Sequence, residues 1–251
     1  MLRRRQALGL LTALASSTPS LAEESLAAAS AAAGPALQAE LVKTGLYLIT
    51  GGGGHSLLRL SQAGGVLVGA KAPGSYRPLM SQLRRINKLS DLPLRVLVLP
   101  NGDPAQAGNQ ALFAAEGVAI VAQRNLLLPM PQTAVSAAKP AGPVVAFDRS
   151  YELSIGGIDL RVLHFGPARG NADAVVLFPD LKVLAVADLY TTDTPQPDTA
   201  VGGSLSAWSQ VLAELLRLDF DTLVASAGPV LGRGDLEWFK GRLDSLAAQA
   251  R

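Results

Sequence analysis

Short apolar runs bounded by glycine or proline, interleaved with amphipathic helical segments, form a series that occurs twice along this chain. That doubled order constrains the fold more than any single residue does. In the first half, "GLYLIT" (45–50), "HSLLRLS" (55–61) and "GGVLVGA" (64–70) read as strands, with a tetraglycine turn between the first two. "YRPLMSQLRRINKL" (76–89) places Leu79, Leu83, Ile86 and Leu89 at helical spacing. A solid apolar run, Leu94 to Leu99, then predicts a buried strand, followed by a polar loop, a helix near 105–116 and a further strand, "VAIVAQ" (118–123). The prolines at 129, 131, 140 and 143 mark a surface connection. Beyond it, "SYELSIGGIDLRVLHFG" (150–166) is expected to turn at Gly156-Gly157, and "DAVVLFPDLKVLAVADL" (173–189) at Pro179-Asp180. An amphipathic helix over 204–218 with Ser204 as its N-cap, a strand in "DTLVASAGP" (221–229) and a closing helix over 235–249 complete the series. Two sheets facing each other, with helices on the outside, satisfy this order: an α/β (α+β) chain folded as an αββα sandwich.

The 251 residues, 49% of them hydrophobic, suffice for one sizeable core. There is no cysteine, which excludes disulfides and thiolate metal sites, and the only histidines are His55 and His164. Zinc sites draw on three or four nitrogen or sulfur ligands, so this supply is short. The opening "MLRRRQALGLLTALASSTPSLA" has a basic start (Arg3, Arg4, Arg5), an apolar stretch from Ala7 to Ala15, and a small-residue cleavage site at Ser20-Leu21-Ala22. Residues 1–22 are therefore expected to be a secretory signal, too short in its apolar part to span a bilayer. Paired arginines before Gln6, Ala7 and Leu8 resemble a twin-arginine signal, although its Phe and flanking Ser are missing; an ordinary basic start reads as well. Removing the segment lowers the 22 basic residues to 19, against 20 acidic ones, so the basicity belongs to the leader. Nothing in the remainder points to nucleic acid, an anionic membrane or a membrane span. Residues 23–44, Ala-rich at first with Gly34-Pro35 inside, are expected to be a linker before a domain over 45–251.

The loop after the 94–99 strand, "PNGDPAQAGN" (100–109), holds neither histidine nor cysteine, and its one carboxylate is Asp103. A loop leaving the end of a buried strand and opening into a helix is where α/β proteins keep their chemistry, so its poverty needs an explanation. With the element order, this loop and the phrases "GPARGNAD", "VADL" and "SAGPV" resemble the metallo-β-lactamase fold superfamily over about residues 45–245. That resemblance implies a metal motif H-x-H-x-D-H trailed by G-G-N and a helix. Here its end is anchored by Gly108-Asn109 with Leu112 and Phe113, and the four ligand positions fall on Pro100, Gly102, Pro104 and Ala105. The next ligand histidine corresponds to Arg169, the bridging aspartate to Asp188, and the last histidine to Ala227. An aspartate that supports the ligands in that family corresponds to Gly69. Of the metal-coordinating positions only Asp188 survives, and proline, glycine and alanine side chains offer no lone pair to a metal. No cofactor is expected.

The resemblance then implies a degenerate cleft whose candidate binding residues are Arg169, Asp188, Asn101, Asp103 and His55. A carboxylate left in a cleft without its cation needs another partner. Arg169 stands where a metal-binding histidine would, which predicts an Arg169–Asp188 pair with Asn101 or Asp103 near its rim. His55, after the glycine turn, either faces the cleft or is simply a turn residue; His164 reads as structural. "GGGGH" (51–55) lacks the Lys-Ser/Thr of a phosphate loop and opens no helix, which leaves a hairpin turn. Ser204, Ser206 and Ser226 have no nucleophile elbow or evident base. Asp103, Asp173, Asp188 and Asp193 are scattered rather than spaced as a calcium loop. Trp208 and Trp238 lie on helical segments, where packing is the ordinary role. Two functions fit: a non-catalytic binding or accessory protein of the periplasm, taking a small ligand or a periplasmic protein, or a hydrolase with an altered mechanism or relocated metal. Metal content separates them.

Overall fold

The structure is a computed structural model that describes residues 36–87, 92–127 and 142–249. The expected leader, the first part of the expected linker and most of the proline-rich connection lie outside the described residues. Thirteen strands form two sheets among those residues. The first runs in the order β1 (Gln38–Lys43), β2 (Leu46–Thr50), β3 (Ser56–Ser61), β4 (Gly64–Val68), β5 (Leu94–Leu99), β6 (Ala119–Gln123), β7 (Val144–Phe147). Its first four strands are an antiparallel meander, and β4 to β7 pair in parallel. The second sheet is ordered β13 (Leu231–Gly232), β12 (Thr222–Ala225), β11 (Val183–Ala187), β10 (Val175–Phe178), β9 (Ile158–Leu163), β8 (Ser150–Ile155). All its neighbours are antiparallel except β11 and β12.

Strand periodicity sorts the apolar residues into three layers. Val66, Val68, Val96 and Val98 face the second sheet and meet Leu160, Val162, Val176, Val183 and Val224 there. Leu67, Leu97 and Leu99, of opposite parity, face outward to Leu79 and Leu83 of α1 (Tyr76–Ile86) and Phe113 of α3 (Gln110–Ala115). The outer face of the second sheet packs Val175, Leu177, Leu184 and Val186 on α5 (Leu205–Leu215) and α6 (Arg233–Gln249). This is the αββα sandwich expected from the element order. Ties between the sheets include Lys43 Nζ to Asp221 at 2.7 Å and Arg59 to Asp180 at 2.5 Å.

Local signals hold where they are strongest. Gly156 and Gly157 turn at φ 52° and 82° between Ile155 and Ile158, and Ser204 Oγ accepts the Ala207 amide at 3.2 Å as the N-cap of α5. Three expectations need correction. Residues 38–43, expected as linker, form edge strand β1: Gly45, at φ 70°, turns it back onto β2, and Leu37, Ala39 and Val42 pack into the core layers. The helix expected over 105–116 is broken into α2 (Pro104–Ala107) and α3. At the break, Gly108 touches Pro73 so closely that a Cβ would collide, and Asn109 Nδ2 donates to Ala70 O and Ala72 O at 2.8 and 2.7 Å. Finally, only Trp208 packs, edge-on to Phe239 with Nε1 donating to Leu189 O; Trp238 is 59% exposed beside Arg242. A short helix, α4 (Arg124–Leu127), leads toward the cleft.

Candidate functional site

The cleft opens where β4, β5, β11 and β12 end together. Asp188 stands at this end of the sheets, carried by a bend in which β11 slips register against β12 and Ala187 sits at φ 45°. A left-handed alanine costs about 1–2 kcal/mol, which the surrounding bonds must offset. Ser226, directly after β12, donates its hydroxyl to Asp188 Oδ1, and Asn101 Nδ2 donates to Oδ2 at 2.6 Å. Asn101 is itself fixed, since its Oδ1 accepts the Asp103 amide at 3.0 Å. Both carboxylate oxygens are thus served by neutral donors.

The expected Arg169–Asp188 pair does not form. Arg169 instead reaches Asp103, at 3.4 Å, with side chains 34% and 31% exposed. The reason is the backbone around each group. Asn101, two residues past the end of β5, comes within hydrogen-bond reach of Asp188, whereas the loop of Arg169 is tied to the Asp198 segment, its carbonyl accepting the Asp198 amide at 2.6 Å. Asp103 also caps α2 by accepting the Ala105 amide at 2.9 Å. Arg169 and Asp103 line an outer groove of about 280 Å³ with Asn125, Asn171, Asp173 and Asp198. Asp173 is buried; desolvation pushes its carboxyl above the usual range, opposed by the Gly170 amide at 2.5 Å and by Arg169. His164 Nδ1 pairs with the Asp173 carbonyl at 2.8 Å, a structural bond of the loop.

His55 lies deeper. Its amide donates to Ser226 O at 2.8 Å and its Nδ1 meets Ala225 O at 3.1 Å. Burial, and secondarily the nearby Lys71 charge, lower its pKa below the ordinary value, so the ring is neutral at pH 7. His55 shares with Gln106 and Ser226 a cavity of about 20 Å³ that is separate from the outer groove.

Two residues here were missed by sequence reasoning. Gln106 is 1% exposed and fills the space between Gly54 and Gly69: a Cβ at either glycine would collide with its amide. The signal was present, because Gly69 stands where the resemblance implies an aspartate, and a deleted side chain leaves a volume to be filled. Lys71 is 0% exposed at φ 64°, its Nζ donating to Ile49 O and Gly54 O at 2.5 and 2.8 Å. Burial lowers its pKa to about 7. It clamps the tetraglycine turn, and no sequence pattern pointed to it.

No protein-family model and no curated protein matches this chain. Solved structures do. A metallo-β-lactamase from Pontibacter korlensis superposes with a TM-score of 0.69 at 19% identity, over 83% of this chain and 99% of that one. The DIM-1 metallo-β-lactamase does so at 0.68 and 16%, over 84% and 99%. The FIM-1 enzyme from Pseudomonas aeruginosa, solved in a mono-zinc form, also gives 0.68 and 16%, over 84% and 96%. The chain therefore has the metallo-β-lactamase fold. A zinc centre of the kind that fold implies does not fit these residues. Pro100, Gly102, Pro104, Ala105 and Ala227 have no side-chain donor atoms, Arg169 is a cation, and Asp188 is engaged by Asn101 and Ser226. Among the described residues no three His, Cys, Asp or Glu side chains come together to hold a metal ion.

Proposed function

From a metallo-β-lactamase fold whose metal positions keep a single ligand-type residue, Asp188, we propose that this protein is an exported, non-catalytic binding or accessory protein of the periplasm that takes a small ligand in the outer groove. One observation carries the reading. Asp188, the surviving metal-coordinating position, spends both oxygens on Asn101 and Ser226, while the Arg169 guanidinium stands one-third exposed in the groove above, held by one long bond to Asp103. The polar chemistry left open to a visitor is recognition, through Arg169 donors and the neighbouring Asn171 amide, rather than activation of a water or hydroxyl. Export is supported by the tripartite start of the sequence. No helix among the described residues is long and apolar enough to cross a membrane.

The test joins elemental analysis to a thermal-shift screen of small polar ligands. Purified protein is expected to carry no stoichiometric zinc, iron or manganese, and to leave β-lactam, thioester and phosphodiester model substrates at background. A ligand that raises Tm should lose its effect in Arg169→Ala. One or two metals per chain, or hydrolysis above background, would overturn this reading in favour of a hydrolase with an altered site. Mass spectrometry of envelope fractions should find a chain that begins after Ala22.

A further inference from the structure

The cavity lined by His55, Gln106 and Ser226 holds an unmatched donor, and its other two polar lining residues carry acceptor lone pairs. Gln106 Nε2 is buried and has no hydrogen-bond partner among the described residues. An unpaired buried amide donor costs about 1–3 kcal/mol, so a native structure normally supplies it with an acceptor. His55 borders the same cavity. With the ring neutral and Nδ1 donating to Ala225 O, its Nε2 carries the lone pair. Ser226 Oγ, also on the wall, gives its proton to Asp188 and so has lone pairs to offer. The remaining lining is apolar, from Leu57, Val68, Ala185 and Val224, with Pro100 at the edge.

We propose that this cavity is a site for one ordered water molecule, accepting from Gln106 Nε2 and donating to His55 Nε2 and Ser226 Oγ, and that Gln106 with its water plugs the floor of a cleft that holds metal elsewhere in this fold. Size and polarity both select water. About 20 Å³ suits one water-sized body, and three polar partners meet the number a buried water usually finds. A metal cation would face the amide N–H of Gln106. An anion would face the His55 lone pair and the nearby Asp188 carboxylate. Water alone serves a donor and two acceptors at once. The side chain that makes the site is admitted by Gly54 and Gly69, since a Cβ at either position would displace its amide. This inference is independent of any ligand in the outer groove.

A crystal structure at about 1.5 Å of the wild-type chain and of Gln106→Met, an apolar side chain of similar length, tests it. The wild type should show one density peak within about 2.6–3.2 Å of both Gln106 Nε2 and His55 Nε2, with no anomalous signal at the zinc edge. The peak should be lost in Gln106→Met. In parallel, ¹⁵N shifts should report His55 as the Nδ1–H tautomer in the wild type at pH 7. A cavity without density, a peak with anomalous signal, or a Gln106 amide paired with a protein atom would each overturn the proposal. The wild-type map decides even if the variant does not fold.

Discussion

At the scale of single residues, the cleft is a set of part-buried polar groups, of which Asp188 is met by neutral donors and Arg169 by Asp103. Asp188 receives bonds from Asn101 and Ser226, and bonds to a charged group are worth about 1.5–3 kcal/mol. Asp188→Ala should therefore destabilise the fold by about 2 kcal/mol in urea titrations, whereas Arg169→Ala should cost less than about 1 kcal/mol. The Arg169–Asp103 contact is long and one-third exposed, which is the regime of weak surface pairs. Equal losses in the two variants would contradict this ordering. Lys71 makes a pH prediction. Its folded pKa, about 7, lies below the unfolded value of about 10.4, so between these limits the unfolded chain binds the proton that the folded chain lacks. Lys71 thus makes stability rise with pH from about 7 towards 10, by up to ~1.4 kcal/mol per unit, and contributes no slope below 7. Lys71→Met should flatten that rise, measured as unfolding free energy at pH 7, 8 and 9. An unchanged slope would show that Lys71 remains charged in the folded state.

At the scale of elements, the cleft is held by segments that meet end to end. The tetraglycine turn, the end of β4 and helix α2 converge on Gln106, with Gly54 N donating to Ala105 O at 3.0 Å and Ala70 N to Gln106 O at 2.5 Å. Gly54 carries no positive φ, so Gly54→Ala is opposed by contact rather than by backbone strain. The substitution should cost about 1–3 kcal/mol, as overpacking does, and much of that should return in the Gly54→Ala, Gln106→Ala double variant. Strict additivity in the double-mutant cycle would mean that the two positions do not compete for one space. The second helix layer rests on a local device. Ser204 caps α5, and Ser204→Ala should lower stability by about 1 kcal/mol, read from the denaturation midpoint at unchanged slope.

At the scale of the molecule, the middle apolar layer belongs to both sheets. Val66, Val68, Val96 and Val98 from one half share a buried cluster with Val162, Val176 and Val224 from the other. Each half alone would leave one whole sheet face in water, so fragments 36–148 and 149–249, expressed separately, should be aggregated or unfolded by circular dichroism and NMR dispersion. A soluble, well-dispersed first half would show that the sheets are independent folding units.

The sequence by itself determined the sandwich, because strand parity, helical spacing, the Gly156-Gly157 turn and the Ser204 cap are local properties that any compact fold must honour. It also determined which side chains stand at the positions that the resemblance makes metal ligands, since proline, glycine and alanine lack donor atoms in any fold. β1 was less legible: as an edge strand packed on both faces, it shows no clean alternation beside an Ala-rich stretch. Tertiary structure alone decided who pairs with whom in the cleft. Arg169 meets Asp103 rather than Asp188, Gln106 occupies the place opened by Gly54 and Gly69, and Lys71 is buried under the glycine turn. Periodicity assigns a residue to a face, but a side chain's partner depends on where distant backbone segments end, to within the length of a hydrogen bond. Asn101 and Asp188 stand 87 residues apart in sequence and 2.6 Å apart in space, a relation that only the packing of the two sheets creates.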